Sequence, residues 1–209
     1  MASGIDQGRR SFWLKHLHQW HWVSSALCLI GMLLFAITGI TLNNARIIEA
    51  RPQVTTVEAT LPDALLAQLA ADGDAADGGE VPAGIAAWLR RDLSLDVTGR
   101  AVEWSDDELY IALPRPGGDG WATIGRRDGA VLYEVTDRGL VSYLNDLHKG
   151  RGTGAVWSWF LDLFAVACLV FCVTGLFLLH LHAGNRPATW PLVGLGLVAP
   201  LLLLILLIH

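Results

Sequence analysis

The stretch KHLHQWHW, residues 15–22, places three histidines and two tryptophans in eight positions, and VSSALCLIGMLLFAITGITL, residues 23–42, follows without a charge. Twenty uncharged residues at about 1.5 Å of helical rise each cover about 30 Å, the thickness of a bilayer's hydrocarbon core. The segment therefore predicts a spanning helix, with imidazoles where it enters the membrane. Two further apolar runs, roughly residues 156–179 and 188–208, are long enough to predict two more spans. The first span is longer than a signal-peptide core, and the LNNARI that follows it has no small-x-small cleavage pattern. It is expected to remain as an anchor.

Composition agrees: 53% of the 209 residues are hydrophobic, and nine are tryptophan. Residues 45–155 are different in kind. They carry eleven basic against eighteen acidic residues, a net of −7, so they belong in water and would repel nucleic acid. Short basic flanks set the expected orientation: Arg9, Arg10 and Lys15 precede the first span, and Arg186 lies in the brief connection between the second and third. Both flanks are expected in the cytoplasm, although Arg46, Arg51, Lys149 and Arg151 lie close to the other membrane face. In a bacterial inner membrane the acidic domain would be periplasmic. Cys28, Cys168 and Cys172 all fall within spans and form no C-x-x-C or C-x-x-C-H pattern, so they read as small apolar packing residues.

Within the acidic domain TLPDALLAQLAA and PAGIAAWLRRDL have helical spacing, with the Gly/Asp-rich DGDAADGGE between them. RAVEW, ELYIAL, GWATI and AVLYEV alternate as strands separated by turn residues, which predicts an antiparallel hairpin or meander. GLVSYLNDLH, residues 139–148, reads as a helix returning to the membrane. The expected organisation is residues 1–44 for a cytoplasmic N-terminus and first span, 45–150 for an α+β domain, 151–183 for the second span, and 184–209 for a short loop and third span. The fold class is thus an integral membrane α-helical protein of three transmembrane helices, with an extracytoplasmic α+β domain inserted between helices 1 and 2.

All seven histidines, His16, His18, His21, His148, His180, His182 and His209, lie at or near span ends. Polar residues at membrane depth are expensive, so this clustering points to function. His18 and His21 are about 60° apart on a helix, on one face. His180 and His182 are about 160° apart, so at most one of them faces the first helix. The two pairs fall at the same membrane level on antiparallel neighbours. Imidazole suits zinc, copper and iron, and facing helices are a usual place to hold a flat, apolar haem b. A tetrahedral zinc site is the rival, without an H-E-x-x-H motif or a nearby Cys to support it. The plain alternative is interfacial histidines with wet tips. His148 stands apart in LHKGRGTGAVWSW, on the other membrane face, where a second haem would draw its other ligand from His209 or a second copy of the chain. Asp162 is eighteen residues, five whole turns, from His180, and the shared face is expected to point inward. The carboxylate would then orient a histidine or meet a cofactor propionate, or simply be hydrated. GLGLVA, residues 194–199, matches a dinucleotide fingerprint, but it lies in an apolar span without the preceding strand that gives the motif meaning.

LHQWHWVSSALCLIGMLLFAITGITLN, followed by RDGAVLYEVTDRGLVSYLNDLHKGRGTGAVWSWFLDLFAVACLVFCVTGLFLL, resembles the PepSY-associated transmembrane-helix family. The likeness covers the first two spans and the last third of the acidic domain. It is most specific in the L-H-x-W-H helix start, the D-G-x-V-hydrophobic strand and the L-H-K-G-R…W-S-W return. The resemblance implies a PepSY-like soluble domain and kinship with di-haem reductases that pass electrons to ferric siderophores. It makes His18 or His21, His148, and His180 or His182 candidate axial ligands, with one or two haem b groups per chain or shared in a dimer. The implied partners are the lipid bilayer, a ferric siderophore or iron chelate, and a cytoplasmic or quinol electron donor. This chain is shorter than the larger reductases, with three spans instead of four or more, which favours a homodimer. A second reading is a non-catalytic, membrane-anchored PepSY module that binds a peptide, protease or transporter partner.

Overall fold

The structure, a computed structural model, describes residues 2–48, 51–71 and 79–208. His209 and most of the DGDAADGGE connection lie outside the described residues. Three helices are long and apolar enough to cross a membrane: α1 (Ala2–Asn43), α5 (Gly154–His182) and α6 (Thr189–Leu207). The helix α1 runs unbroken because no proline interrupts it, and it closes where both the backbone N–H and the side-chain amide of Asn44 donate to the Ile40 carbonyl, at 3.1 and 2.9 Å. No residue of α6 is buried, as suits a helix surrounded by hydrocarbon. Pro200 sits inside α6, where it removes the bond to the carbonyl of Gly196.

Between α1 and α5 lie β1 (Gln53–Thr60), α2 (Asp63–Ala71), α3 (Ala83–Leu93), β2 (Val102–Trp104), β3 (Glu108–Ala112), β4 (Gly118–Gly125), β5 (Ala130–Asp137) and α4 (Gly139–Lys149). Strands β2 to β5 form the expected antiparallel meander, and the full sheet order is β1-β5-β4-β3-β2. Alternation places Leu109, Ile111, Ala122, Ile124 and Val131 on one face, where they are buried against Leu61, Leu69, Ile85 and Leu89. The domain is therefore a two-layer α+β structure with its core under α2 and α3.

One strand was not expected. The segment QVTTVEAT forms β1 and pairs with β5 along its whole length, Gln53 opposite Asp137 through Thr60 opposite Ala130. Seven of its eight residues are exposed, so it carries no strong apolar alternation. Its strand character comes from β-branched Val and Thr, and its partner lies more than seventy residues away in sequence.

The chain divides into two compact units, Met1–Leu34 with Trp159–His209, and Phe35–Ser158. The division falls inside α1 and α5. The last turns of α1 belong with the domain because Phe35, Thr38 and Thr41 contact α4. In this second unit Asp146, 6% exposed, accepts a 2.9 Å bond from the Gly117 backbone N–H and so ties α4 to the turn entering β4.

Candidate cofactor-binding site

In the helical unit α1 and α5 pack antiparallel through a narrow seam. His18 meets His182, His21 meets Phe171 and Thr174, Cys28 lies beside Cys168, and Gly31 lies under the Phe164 ring. On α1 the spacing of His21, Ser24, Cys28 and Gly31 alternates three and four residues, as left-handed helix packing requires. Phe164, Cys168, Phe171 and Gly175 do the same on α5. Small residues let the backbones approach. A Cβ on Gly31 would collide with the Phe164 ring, and one on Gly175 would press on His21 at 3.3 Å. The cysteines are free thiols; Cys28 and Cys168 pack as expected from the sequence, whereas Cys172 is exposed.

The His18 and His182 rings are 5.9 Å apart, centroid to centroid, with their planes at 89°. Each is held by its own helix: His18 Nδ1 lies 2.8 Å from the Leu14 carbonyl, and His182 Nδ1 lies 2.8 Å from the Leu178 carbonyl. A carbonyl can only accept, so in both rings Nδ1 carries a proton. His21 follows the same rule. Its Nδ1 is 3.2 Å from the Phe171 carbonyl and 3.1 Å from Thr174 Oγ1, while the Thr174 hydroxyl itself donates to the Val170 carbonyl at 2.6 Å. The His21 ring stacks on Phe171 at 4.7 Å and 16°.

Of the pair two residues apart on α5, His182 faces α1. His180 turns instead toward α6, edge-on to Trp190 at 5.7 Å, and lines an apolar cavity of about 490 Å³ with Phe177 and Val193. His16 meets Phe12 at 4.2 Å beside a second apolar cavity of about 350 Å³. Asp162 and His180 are both exposed. The expectation that their common face points inward is corrected: five helical turns do bring them to one face, but the seam occupies a different one.

In the domain unit His148 Nδ1 lies 2.6 Å from Thr38 Oγ1, and the ring packs on Phe35 at 4.7 Å. The Thr38 hydroxyl also faces the Phe35 carbonyl at 3.2 Å, and both contacts are satisfied together only if Thr38 donates to the carbonyl and His148 donates to Thr38. One turn earlier on α4, Asn145 accepts from Thr41 at 2.6 Å. Among residues 35–158 His148 is the only histidine. Thr38, Thr41, Asn145 and Thr174 were not singled out by sequence. Their signal was a hydroxyl or amide within or beside an apolar run, which is weak because such groups also bond back to their own helix.

Two imidazole–metal bonds of about 2 Å, with just over 1 Å from each nitrogen to its ring centre, would span about 6 Å. The His18 and His182 rings are 5.9 Å apart, and each has its Nδ1 engaged by a carbonyl of its own helix. Among the described residues no group of three or more His, Cys, Asp or Glu side chains gathers to hold a metal ion, so a tetrahedral zinc site has no such cluster there.

Comparison with curated proteins and with solved structures gives no match. The family described as PepSY_TM-like matches residues 12–209, which takes in all three apolar helices and the domain between the first two. With that coverage, this chain belongs to the PepSY_TM-like family.

Proposed function

We propose that the protein is a b-type haem carrier of the bacterial inner membrane, passing electrons across it to ferric siderophore or another ferric chelate in the periplasm. The observation that carries this reading is the His18–His182 pair: two rings on facing helices, 5.9 Å apart, each with its Nδ1 bonded to a carbonyl of its own helix. His18 and His182 would hold the iron, with His21 as the adjacent alternative on α1. Bound haem supplies one-electron chemistry. The chain's own part is to orient the imidazoles through the Leu14 and Leu178 carbonyls. His148, its Nδ1 held by Thr38, is the candidate ligand on the domain side, with a second copy of the chain or His209 as the source of its partner. The electron donor would be a quinol or a cytoplasmic reductant. In this orientation the N-terminus is cytoplasmic and the acidic domain periplasmic.

The test is an oxidised-minus-reduced visible spectrum of protein purified after haem-sufficient expression, followed by single substitutions. His182→Ala and at least one of His18→Ala and His21→Ala are expected to lose haem, while His180→Ala keeps it. A colourless preparation, or unchanged haem in every variant, overturns the reading.

A second reading, a membrane-anchored binding module, is favoured by β1. The Leu61 N–H bonds to the carbonyl of Gly129, the residue just before β5, which directs the N–H and C=O groups of Val54, Thr56, Glu58 and Thr60 away from the sheet. An extended segment of a partner protein could add there as a further strand. A colourless protein that retains such a segment through Val54 and Thr56 would support this alternative.

A further inference from the structure

The domain unit holds a cavity of about 580 Å³ lined by Arg46, Arg51, Arg138, Ser142 and Asn145, with the apolar side chains of Ile48 and Leu140 among its walls. Residues 45–155 carry a net charge of −7, so a random patch of this surface should be acidic. Among the described residues the cavity lining has three arginines and no carboxylate. Arg138 is held at its position by Asp119 at 3.5 Å and by the Gly118 carbonyl at 3.4 Å. Arg46 and Arg51 have no ion pair with any described residue.

Helix α4 begins at this wall. Arg138 provides no side-chain cap, and the first turn contains no acidic residue. Asp137 accepts from the Gly139 N–H at 2.7 Å, and its other carboxylate oxygen lies 3.8 Å from Arg115. That carboxylate already answers the positive end of the helix dipole, so the positive field in the cavity is that of the guanidinium groups. Guanidinium presents a planar fork of donors that suits the two oxygens of a carboxylate or phosphate. Arg46 follows the last residue of α1 by three positions, so the site borders the membrane surface, and Ile48 and Leu140 offer apolar contact beside the charges.

We infer that this cavity binds an oxyanion, a phosphate or carboxylate group carried on a partly apolar molecule. The inference does not depend on the haem reading. Two sources have this chemistry: an anionic lipid headgroup from the same membrane, and a soluble anionic ligand arriving from the aqueous side.

The experiment uses the full chain in phosphatidylcholine nanodiscs, with and without phosphatidylglycerol. Lipid retained after mild extraction is counted by native mass spectrometry. Inorganic pyrophosphate and citrate are titrated calorimetrically against the phosphatidylcholine sample. Binding of at least one probe is expected, weakened about tenfold or more in the Arg46→Gln/Arg51→Gln variant and largely kept in Arg46→Lys/Arg51→Lys, with unchanged circular dichroism. Retained phosphatidylglycerol alone identifies the membrane as the source, and binding of pyrophosphate or citrate alone identifies the aqueous side. If no probe binds, or if the glutamine variant binds as the native protein does, the inference is overturned.

Discussion

The His148 ring is fixed by Thr38: its Nδ1 sits 2.6 Å from the Thr38 hydroxyl, joining α4 to the last turns of α1 across 110 residues of sequence. The bond sets the direction of the ring and places a proton on Nδ1. Thr38→Val keeps the shape and removes the acceptor. It is expected to cost about 1–3 kcal/mol, the penalty for stranding a partly buried donor. Thermal unfolding in detergent measures this, and nitrogen NMR should show the proton no longer confined to Nδ1. Thr38→Ser, which restores a hydroxyl, should recover both readouts.

The close approach of α1 and α5 rests on Gly31 beneath Phe164. A Cβ at this position meets the ring directly, so Gly31→Val is expected to force the helices apart at a cost of about 1–3 kcal/mol. Combining it with Phe164→Ala should return part of the loss, because the two side chains then share the freed space. Unfolding curves for the two single variants and the double variant test this. Strict additivity would show that the contact does not set the helix spacing.

Gly117 is required for two reasons at one position. Its φ is +77°, and a Cβ would lie 2.7 Å from the Tyr143 Cβ and 2.8 Å from its Cα. Gly117→Ala should destabilise the domain by about 1–3 kcal/mol through both strain and overlap. The lower melting temperature should be shared by probes of the sheet and of α4, since Asp146 joins them through the Gly117 N–H.

The loop after α3 carries a pH dependence. Hydrogen bonds from the Thr98 hydroxyl and backbone N–H, and then from Arg90, lower the Asp96 carboxyl from 3.8 to about 2. A carboxyl whose pKa is depressed by folding stabilises the folded state fully above its ordinary value. That contribution is lost as the pH falls from about 4 through about 2. Native protein should therefore lose stability across this window by more than Asp96→Asn does. Because the group is exposed, the effect should be small and should shrink with added salt. Equal acid sensitivity in both proteins would show that Asp96 does not contribute.

The three spans, the acidic α+β insert, the meander of β2 to β5 and the helix at residues 139–148 were legible in the sequence. Each depends on local periodicity or on a contiguous block of apolar or charged residues, and a chain cannot avoid expressing those preferences. The clustering of histidines at the span ends was legible for the same reason. The strand β1 was not, because an exposed edge needs little apolar alternation and its partner is remote in sequence. Helical angles limited His180 and His182 to one residue facing α1, but only the packing of α5 against α1 selected His182 and turned Asp162 outward. Periodicity shows which residues share a face, and it is blind to which face a neighbour covers. That choice came from the fit of Gly31 and Cys28 against Phe164 and Cys168, a matter of volumes on two segments far apart in the chain. The Thr38 bond to His148 likewise arose only when folding brought two distant polar groups together at a place where neither could be left without a partner.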